Sequence, residues 1–332
     1  MRDGYRCLKN LDQTFLTKYN TTMENVLVTG GAGFIGSHIV DELVRRDKNV
    51  IVVDNESAAA NDKYYYNDKA TYFKYDITDY NELDRAFRLR LPVGEASLEG
   101  IDTVFHLAAR SRIPYSIKEP IETCSINYMG TLNVLECARN HGVKRVMYSS
   151  TSSAYGLKNK SPQIENMEVD CLNPYSASKV AGENLCKMYY SLYGLETVVF
   201  RYFNVYGERH PLKGSYAPVV GIFDRQSSNG EPMTIVGDGL QTRDFTYVKD
   251  VVEANMLAAT SVNKDVIGEI FNVGSGANHS VLDIARMVGG DYVFIPPREG
   301  EARETLANIN KIKNLLGFEP KMSLESWMKE RV

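Results

Sequence analysis

The sequence lacks the long apolar segments and paired cysteines that mark membrane and secreted proteins. None of its apolar runs approaches the roughly 18 residues that cross a bilayer. Its first residues, MRDGYR, contain no apolar segment typical of a secretory signal. The cysteines are an odd number without CxxC spacing, which argues against a disulfide framework and a zinc ribbon. We therefore expect a cytoplasmic protein with reduced thiols and no membrane partner.

A concentration of charge of one sign is also absent. The chain carries 38 Lys and Arg against 42 Asp and Glu, for a net charge of −4, and the basic residues do not form blocks. Nucleic acid is therefore not an expected partner. The five histidines show no ligand spacing, so no metal site is predicted. An anionic ligand would have to be held by a few individually placed cations.

Apolar strand-like segments alternate with helical segments from Asn25 onward. The predicted strands cover residues 26–29, 50–53, 71–75, 103–107, 145–149 and 197–202. This alternation predicts an α/β fold with a Rossmann-type, doubly wound parallel sheet. After about Tyr202, glycines and prolines interrupt the pattern, which indicates a smaller C-terminal cap that binds substrate over the carboxyl ends of the strands.

The expected domains follow from this change in pattern. Residues 1–22 show no period and are interpreted as an N-terminal extension. Residues 23–202 form the dinucleotide-binding Rossmann domain. Residues 203–332 form mainly the cap, and some of their segments are expected to return to the sheet.

A glycine-rich segment follows the first predicted strand. Gly30, Gly33 and Gly36 lie in GGAGFIG at the start of a helix, where glycines let backbone N–H groups approach a pyrophosphate. Asp54 ends the second strand 18 residues later, about where a carboxylate accepts hydrogen bonds from an adenosine ribose. A carboxylate there would repel a 2′-phosphate, so NAD is favoured over NADP. The alternatives are a tight strand-to-helix turn and a turn cap.

A second motif, YSASK, places Tyr175 and Lys179 four residues apart, on one face of a helix. Asn173 and Pro174 fit the start of that helix, as cap and first-turn residue. Oxidation of a secondary alcohol needs a base for the hydroxyl proton, and a phenolate can serve. Lowering a phenol pKa from about 10 to about 7 needs on the order of 4 kcal/mol, which a nearby cation can supply. The alternative is an ordinary amphipathic pair.

These motifs together resemble the extended short-chain dehydrogenase/reductases, within the nucleotide-sugar epimerase and dehydratase family. Within that family, the pattern resembles the UDP-glucose and UDP-N-acetylglucosamine 4-epimerases. The matching segments occur in the family's order and approximate spacing, at residues 29–36, 76–77, 106–109, 127, 130–131, 149–156, 175–179, 201–207, 243–245 and 298–300.

The resemblance implies NAD as cofactor and a set of residues that bind it. These are Gly30, Gly33, Phe34, Ile35, Gly36, Asp54, Asn55, Asp76, Ile77, Leu107, Ala108, Ala109, Asn127, Tyr175, Lys179 and Tyr202. Several of them also have simpler interpretations. Leu107 and Ala108 could be buried sheet residues, and Asp76 could cap a turn.

The resemblance implies that Thr151, Tyr175 and Lys179 are catalytic. Thr151 would hydrogen-bond the reacting alcohol, a role in which its hydroxyl is as suitable as that of a serine. The related 4,6-dehydratases and decarboxylases carry a carboxylate directly after this threonine. Ser152 and Ser153 stand there instead, and a serine is a poor acid for removing water. The pattern therefore favours an epimerase.

The resemblance also implies a substrate-binding set: Thr151, Tyr175, Asn204, Ile235, Arg243, Arg298 and Thr305. The two arginines would bind the pyrophosphate, unless each forms a surface ion pair with a neighbouring acid. A small residue at 305 would leave room for an N-acetyl group. Arg112 is unusual and could bind a uronate carboxylate, but solvent exposure is the preferred interpretation.

The predicted function is an NAD-dependent 4-epimerase of UDP-hexose or UDP-N-acetylhexosamine, acting through a transient 4-keto intermediate. The alternatives are a 4,6-dehydratase, a decarboxylase or a reductase on the same scaffold, and a non-catalytic dinucleotide-binding module. In relatives, the helices matching residues 127–140 and 175–190 form a dimer interface. The resemblance thus implies a homodimer.

Overall fold

The computed structural model of the protein describes residues 23–58, 63–93, 97–212, 218–297 and 302–330. The predicted N-terminal extension, residues 1–22, lies outside this part of the chain.

The strands are numbered in chain order. They are β1 Asn25–Thr29, β2 Asn49–Val53, β3 Thr71–Phe73, β4 Leu91–Val93, β5 Ser97–Glu99, β6 Thr103–His106, β7 Arg145–Thr151, β8 Glu196–Tyr202, β9 Val205–Tyr206, β10 Met233–Val236, β11 Thr242–Asp244, β12 Thr246–Tyr247, β13 Ile270–Val273, β14 Asn278–Ser280 and β15 Tyr292–Ile295.

The α-helices are α1 Phe34–Arg45, α2 Tyr80–Phe87, α3 Ile113–Lys118, α4 Pro120–Cys124, α5 Gly130–Asn140, α6 Pro174–Tyr193, α7 Val219–Ser228, α8 Val248–Thr260, α9 Val281–Val288, α10 Asn310–Leu316 and α11 Leu324–Lys329. A π-helical turn, Ser125–Met129, joins α4 to α5, and short 3₁₀ helices cover Ser152–Tyr155 and Lys264–Val266.

Seven strands form the central sheet, in the order β13-β8-β7-β6-β1-β2-β3. Every neighbouring pair is parallel, which confirms the predicted doubly wound fold. The strand order reverses between β1 and β6, so a crevice opens beyond their carboxyl ends. The predicted strand at 71–75 ends at Phe73, and the one at 145–149 continues to Thr151.

The sheet is buried on both faces because its strands consist largely of apolar residues. Successive side chains of β1 alternate between the two sides: Val26 and Val28 contact one core cluster and Leu27 the other. Helices α1, α8 and α10 contribute to the first cluster, and α2, α5 and α6 to the second. The result is a three-layer arrangement with a helical layer on each face.

The second half of the chain builds a separate apolar cluster around Trp327, with side chains from α7, α9, α11 and β10. Two small sheets belong to this region, the parallel pair β10-β15 and the antiparallel pair β11-β14. The same half also returns to the central sheet, since β13 pairs with β8 at its edge.

Candidate active site

The glycine-rich turn connects β1 to α1 at the point where the strand order reverses. Gly30 has φ +70°, a conformation that side chains disfavour, and an added Cβ would lie 2.7 Å from the backbone nitrogen of Ala108. At Gly36 an added Cβ would lie 2.1 Å from the carbonyl oxygen of Gly30. These two positions therefore require glycine, and the turn leaves open space beside the start of α1.

Asp54 and Asp76 follow β2 and β3 next to this turn. The Asp54 carboxylate accepts hydrogen bonds from the backbone N–H groups of Ala32 at 3.0 Å and Glu56 at 2.8 Å. Burial raises the pKa of Asp54. The Asn55 amide donates to Asp76 at 2.7 Å. Burial opposes ionisation of Asp76, but its hydrogen bonds from Thr78 and Asn55 lower the pKa overall.

Helix α6 begins as its sequence predicts. The Asn173 side chain accepts a hydrogen bond from the backbone N–H of Ser176 at 2.9 Å, and the Ser176 hydroxyl faces the Asn173 backbone N–H in return. Pro174 occupies the first turn. This capping box fixes the start of the helix and so the direction in which Tyr175 enters the cavity.

Tyr175 lies inside the cavity close to Thr151, the last residue of β7. Burial raises the pKa of the Tyr175 phenol, while a hydrogen bond with Thr151 and the positive charge of Arg112 act in the opposite direction. In the protein without NAD, Lys179 is not among the groups that shift the pKa of Tyr175, and its effect on the phenol stays a prediction for the NAD-bound protein. The burial of the phenol dominates, and the cation that acts on it is Arg112.

Lys179 is buried one helical turn further along α6. Its ammonium lies 4.2 Å from the centre of the Tyr148 ring, a cation–π contact. Burial lowers the Lys179 pKa to about 7, and the charges of Cys186 and Glu183 partly oppose this shift.

A buried ion pair connects α6 to the central sheet. Arg201 on β8 donates to Glu183 on α6 at 2.9 and 2.7 Å, and the Ser150 hydroxyl donates to the same carboxylate at 2.5 Å. These contacts tie the two central strands that end at the cavity to the helix that carries Tyr175.

Arg112 follows β6 in the segment that leads to α3. The expectation that it is solvent-exposed is wrong, because this residue lines the cavity and is only partly exposed. The Nε atom is fully buried and has no hydrogen-bond partner. Burial lowers the pKa of Arg112, and its charge interaction is with the Tyr175 phenol.

Residues of the second half line the other side of the cavity. Asn204 donates to the carbonyl oxygen of Asp244 at 2.8 Å, and Arg243 donates to the carbonyl of Thr242 at 2.9 Å. The Asp244 carboxylate accepts from backbone N–H groups of Ser275, Gly276 and Ala307 at 2.7 to 3.1 Å. The hydroxyl oxygen of Thr305 is buried without a partner.

One cavity of about 790 Å³ brings most of the predicted site residues together. Its glycine end is lined by Gly30, Asp54, Asn55 and Asp76, and its cap end by Arg112, Tyr175, Arg243 and Thr305. The volume lies in the range of small-molecule sites. The other predicted residues that line it are Gly33, Phe34, Ile35, Gly36, Ile77, Leu107, Ala108, Ala109, Thr151, Lys179, Tyr202 and Asn204.

Two of the predicted residues that the structure describes, Ile235 and Asn127, do not line the cavity. Ile235 is wrong as a substrate contact: strand alternation points it into the core of the second half, and Thr234 and Val236 face the cavity instead. Asn127 is fully buried and hydrogen-bonds the backbone of Arg110, which lines the cavity. Arg298 lies outside the described residues.

Asn127 holds the wall of the cavity together. Its side-chain oxygen accepts from the backbone N–H of Arg110 at 2.7 Å, and its amide nitrogen donates to the Arg110 carbonyl at 3.0 Å. The same nitrogen donates to Ser178 on α6 at 2.9 Å. The segment that carries Arg112 is thereby fixed against α6.

Sequence reasoning missed several lining residues, among them Arg110, Ser149, Gln163, Phe223 and Gln241. Ser149 could have been found, because it stands two residues before Thr151 on β7 and so faces the same side. Its hydroxyl lies 3.1 Å from that of Tyr202. The others lie in segments without a readable pattern or are brought to the cavity only by tertiary packing.

The described part of the chain contains no cluster of His, Cys, Asp and Glu suited to a metal ion. Within the same residues, no helix has both the length and the apolar character to cross a membrane.

Comparison with known proteins gives consistent matches over most of the chain. The family model described as the NAD-dependent epimerase/dehydratase family matches residues 26–274. A putative UDP-glucose 4-epimerase of Methanocaldococcus jannaschii is 38% identical over 315 residues, covering 92% of this chain and 97% of that protein. A UDP-N-acetyl-α-D-glucosaminuronate decarboxylase of Bacillus cytotoxicus is 33% identical over 328 residues, covering 92% of this chain and 96% of that one.

Among solved structures, the UDP-glucose 4-epimerase of Thermotoga maritima with UDP-glucose is similar, with a TM-score of 0.84 and 38% sequence identity. The match covers 92% of this chain and 96% of that one.

Proposed function

Because the chain belongs to the NAD-dependent epimerase/dehydratase family, we propose that it is a nucleotide-sugar 4-epimerase. The proposed substrates are UDP-hexose or UDP-N-acetylhexosamine, and the reaction passes through a transient 4-keto sugar. The observation that carries this proposal is the content of the cavity: Thr151 and Tyr175 provide hydroxyl groups side by side. Among the described lining residues, the only carboxylates are those of Asp54 and Asp76 at the glycine end.

The residues at the glycine end fit NAD, the cofactor of this family. The turn at Gly30 and Gly36 permits a close approach of the pyrophosphate to the start of α1. Asp54 would accept hydrogen bonds from the adenosine ribose, and Asp76 and Ile77 would border the adenine. When bound, NAD accepts the C4 hydride and later returns it, and its positive ring favours an ionised phenol nearby.

Tyr175 would act as the general base and acid. Its oxygen takes the proton of the C4 hydroxyl and later gives it back, while Thr151 hydrogen-bonds the reacting oxygen. Lys179 would bind the nicotinamide ribose, and its charge would support the phenolate. The 4-keto sugar turns over within the cavity, so hydrogen returns to the opposite face of C4. No net oxidation occurs.

A dehydratase needs an acid that protonates the departing hydroxyl. The residues after Thr151 do not provide one, which favours an epimerase. Ser152 and Ser153 occupy the two positions after Thr151, and both line the cavity. Neither is an effective proton donor. A decarboxylase is the second candidate, since one of the similar proteins has that name.

Substrate binding is assigned to the cap end. Arg243 and Arg298 would bind the pyrophosphate with their guanidinium groups, and Asn204 would hydrogen-bond the same region. Thr305 would lie beside the C2 substituent. These roles rest on the resemblance and, for Asn204, Arg243 and Thr305, on their place in the cavity.

The decisive experiment is product analysis with a matched pair of variants. The purified protein is incubated with UDP-glucose, UDP-N-acetylglucosamine and UDP-glucuronate, and products are identified by NMR. We expect C4 epimers without net NAD reduction. Tyr175→Phe should lower the rate roughly 10²- to 10⁴-fold, the usual contribution of acid–base catalysis. The control is Tyr190→Phe, on the exposed side of the same helix.

Dehydrated ketosugars as products would show a dehydratase, and pentose nucleotides a decarboxylase. An unchanged rate in Tyr175→Phe would contradict the assigned base. Protein that binds NAD and converts none of the three sugars would indicate a binding module.

We also propose a homodimer formed by the helices at residues 127–140 and 175–190, to which the structure adds the neighbouring α4. These elements expose large apolar side chains, including Ile121 and Leu192 at 85% and 67% exposure, with Tyr128, Met129 and Tyr193. Several large exposed apolar side chains on neighbouring elements are typical of an interface. Light scattering after size exclusion should give twice the mass of 37.3 kDa. A single-chain mass at micromolar concentration would contradict the proposal.

A cytoplasmic location is proposed on the basis of the cysteines. Those at 124, 137, 171 and 186 are all free in the structure, as expected for a reducing compartment. Cell fractionation tests it, and recovery outside the cytoplasm would overturn it.

A further inference from the structure

Arg112 presents a positive charge inside the cavity without an anionic partner among the described residues. Its buried Nε has no hydrogen bond, and its charge interaction is with the Tyr175 phenol. The Nε–H of this guanidinium is removed from water, which is costly unless a hydrogen-bond acceptor replaces the water.

The two buried arginines of the central sheet each have a carboxylate partner, although Nη1 of Arg201 also lacks a hydrogen bond. Arg145 donates to Glu196 at 2.8 and 2.7 Å, and Arg201 donates to Glu183 at 2.9 and 2.7 Å. No such carboxylate is available to Arg112 from the described walls of the cavity, since their only carboxylates are at the glycine end. We therefore expect the anionic group that pairs with Arg112 to belong to a bound ligand.

The position of Arg112 is fixed rather than adaptable. Its carbonyl oxygen accepts the backbone N–H of Ser116 at 2.9 Å in the first turn of α3. Two residues earlier, the backbone of Arg110 is held at both its N–H and its carbonyl by Asn127, which also binds Ser178 on α6. Arg112 is thus held against the helix that carries Tyr175, and pre-organised donors bind an anion with little loss of entropy.

We propose that the preferred substrate is a nucleotide hexuronate, in place of the neutral sugars named above, and that its C6 carboxylate pairs with Arg112. This inference rests on the proposed function, in which the C4 hydroxyl lies at Tyr175. In a hexose, C6 is attached to C5, the direct neighbour of C4, so a group on C6 lies beside the group that binds the C4 oxygen. A carboxylate matches the planar fork of a guanidinium and can bind it through two parallel hydrogen bonds.

The test compares acidic and neutral sugars on the full chain with bound NAD. The kcat/KM for UDP-glucuronate should exceed that for UDP-glucose on the order of 100-fold, as expected for a desolvated, hydrogen-bonded charge pair. Arg112→Met, which keeps the length and removes the charge, should abolish most of this preference. Arg112→Lys should restore part of it, because a lysine keeps the charge without the fork.

Arg243→Met is the matched control, since it removes a cavity arginine assigned to the shared nucleotide. It should weaken both substrates to a similar extent. Binding is measured separately by calorimetry in the Tyr175→Phe protein, which cannot turn the sugars over. There the UDP-glucuronate dissociation constant should rise on introduction of Arg112→Met, and that for UDP-glucose should change little.

Three results would overturn the inference. A wild-type preference for the neutral sugar does so without any variant. An equal loss for both sugars in Arg112→Met, with the pH profile shifted upward, would show that Arg112 serves only the Tyr175 phenolate. Equal affinities of the Tyr175→Phe protein for both sugars would exclude carboxylate recognition.

A separate set of results would show that the proposed epimerase function is wrong while the inference about Arg112 holds. An enzyme that prefers UDP-glucuronate but releases CO₂ breaks the C5–C6 bond of the 4-keto sugar, moves the electron pair toward the C4 oxygen and adds a proton to C5. That outcome supports recognition by Arg112 and overturns the epimerase. Epimerisation without a preference for the uronate would support the epimerase and overturn carboxylate recognition by Arg112.

Discussion

The two ends of the cavity differ in how far their buried polar groups are partnered within the protein. At the glycine end, Asp54 is hydrogen-bonded to two backbone N–H groups and Asn55 to Asp76. At the cap end, Arg112 Nε and the Thr305 hydroxyl are buried without a hydrogen bond. Among the described lining residues, these two are the ones with buried side-chain atoms that lack any partner.

This difference indicates two kinds of binding surface. The glycine end has a fixed shape, because its side chains are held by the backbone of the chain itself. The cap end keeps polar groups whose desolvation is compensated only when a ligand is present. We therefore expect changes at the glycine end to affect cofactor retention, and changes at the cap end to affect the choice of sugar.

The largest effect is expected from Gly30→Ala at the glycine end. The added Cβ would lie 2.7 Å and 2.9 Å from the backbone N and Cα of Ala108, in a residue with φ +70°. The backbone of Ala108 cannot move aside without disturbing β6. Strain at positive φ and overpacking together should destabilise the protein by roughly 2–5 kcal/mol. Bound NAD, measured after denaturing the purified protein, should fall on the order of tenfold or more.

Gly142→Ala is the matched control for this change. Gly142 has nearly the same φ, +72°, and an added Cβ would meet nothing within 4 Å. It should cost only the strain of positive φ, roughly 1–2 kcal/mol, and leave the NAD content unchanged. Equal loss of NAD in both variants would show that the close approach of the turn to β6 is unimportant.

An intermediate effect is expected at Lys179, which lies between the two ends. Burial lowers its pKa from 10.5 in the unfolded chain to about 7. Between these values the unfolded chain binds more protons, so the free energy of unfolding should rise with pH, by about 2 kcal/mol from pH 7 to 9. Lys179→Met should remove this rise, as measured by urea unfolding of NAD-free protein. Lys158→Met, at an exposed position, should retain it. A wild-type slope no steeper than that of Lys179→Met would show that Lys179 titrates normally.

The sequence predicted the central sheet and the start of α6 well, because both depend on local signals. Buried parallel strands are short apolar runs, and Asn173 followed by Pro174 is a strong helix-start pattern. The strand β13 was not located, since its place at the sheet edge depends on pairing with β8.

The errors at the site have tertiary causes. The sequence does not show that Arg112 enters a cavity, because the walls that bury it come from distant segments. Ile235 was assigned to the substrate site by resemblance, but the alternation of side chains along β10 places it in the core and its neighbours Thr234 and Val236 at the cavity. The pKa of Tyr175 depends mainly on burial, which no motif spacing reveals.

The smallest effect, and the most direct test of the comparison, is expected from Thr305→Val at the cap end. Valine has nearly the shape of threonine, and it lacks the hydroxyl that is buried without a partner. Removing an unsatisfied polar group should stabilise the ligand-free protein by about 1 kcal/mol. The same change should weaken sugar-nucleotide binding if the ligand forms a hydrogen bond with this hydroxyl. Urea unfolding and calorimetry measure the two quantities.

Thr246→Val is the control, for which we expect the stability to change in the opposite direction. The Thr246 hydroxyl is also buried, but it donates to the carbonyl of Phe203 at 2.6 Å, so its loss should destabilise the protein by about 1 kcal/mol or more. If Thr305→Val also destabilised the protein, the hydroxyl of Thr305 would have a partner within the chain. The cap end would then be as fully satisfied as the glycine end, and its polar groups could not be assigned to the ligand on the ground of burial alone.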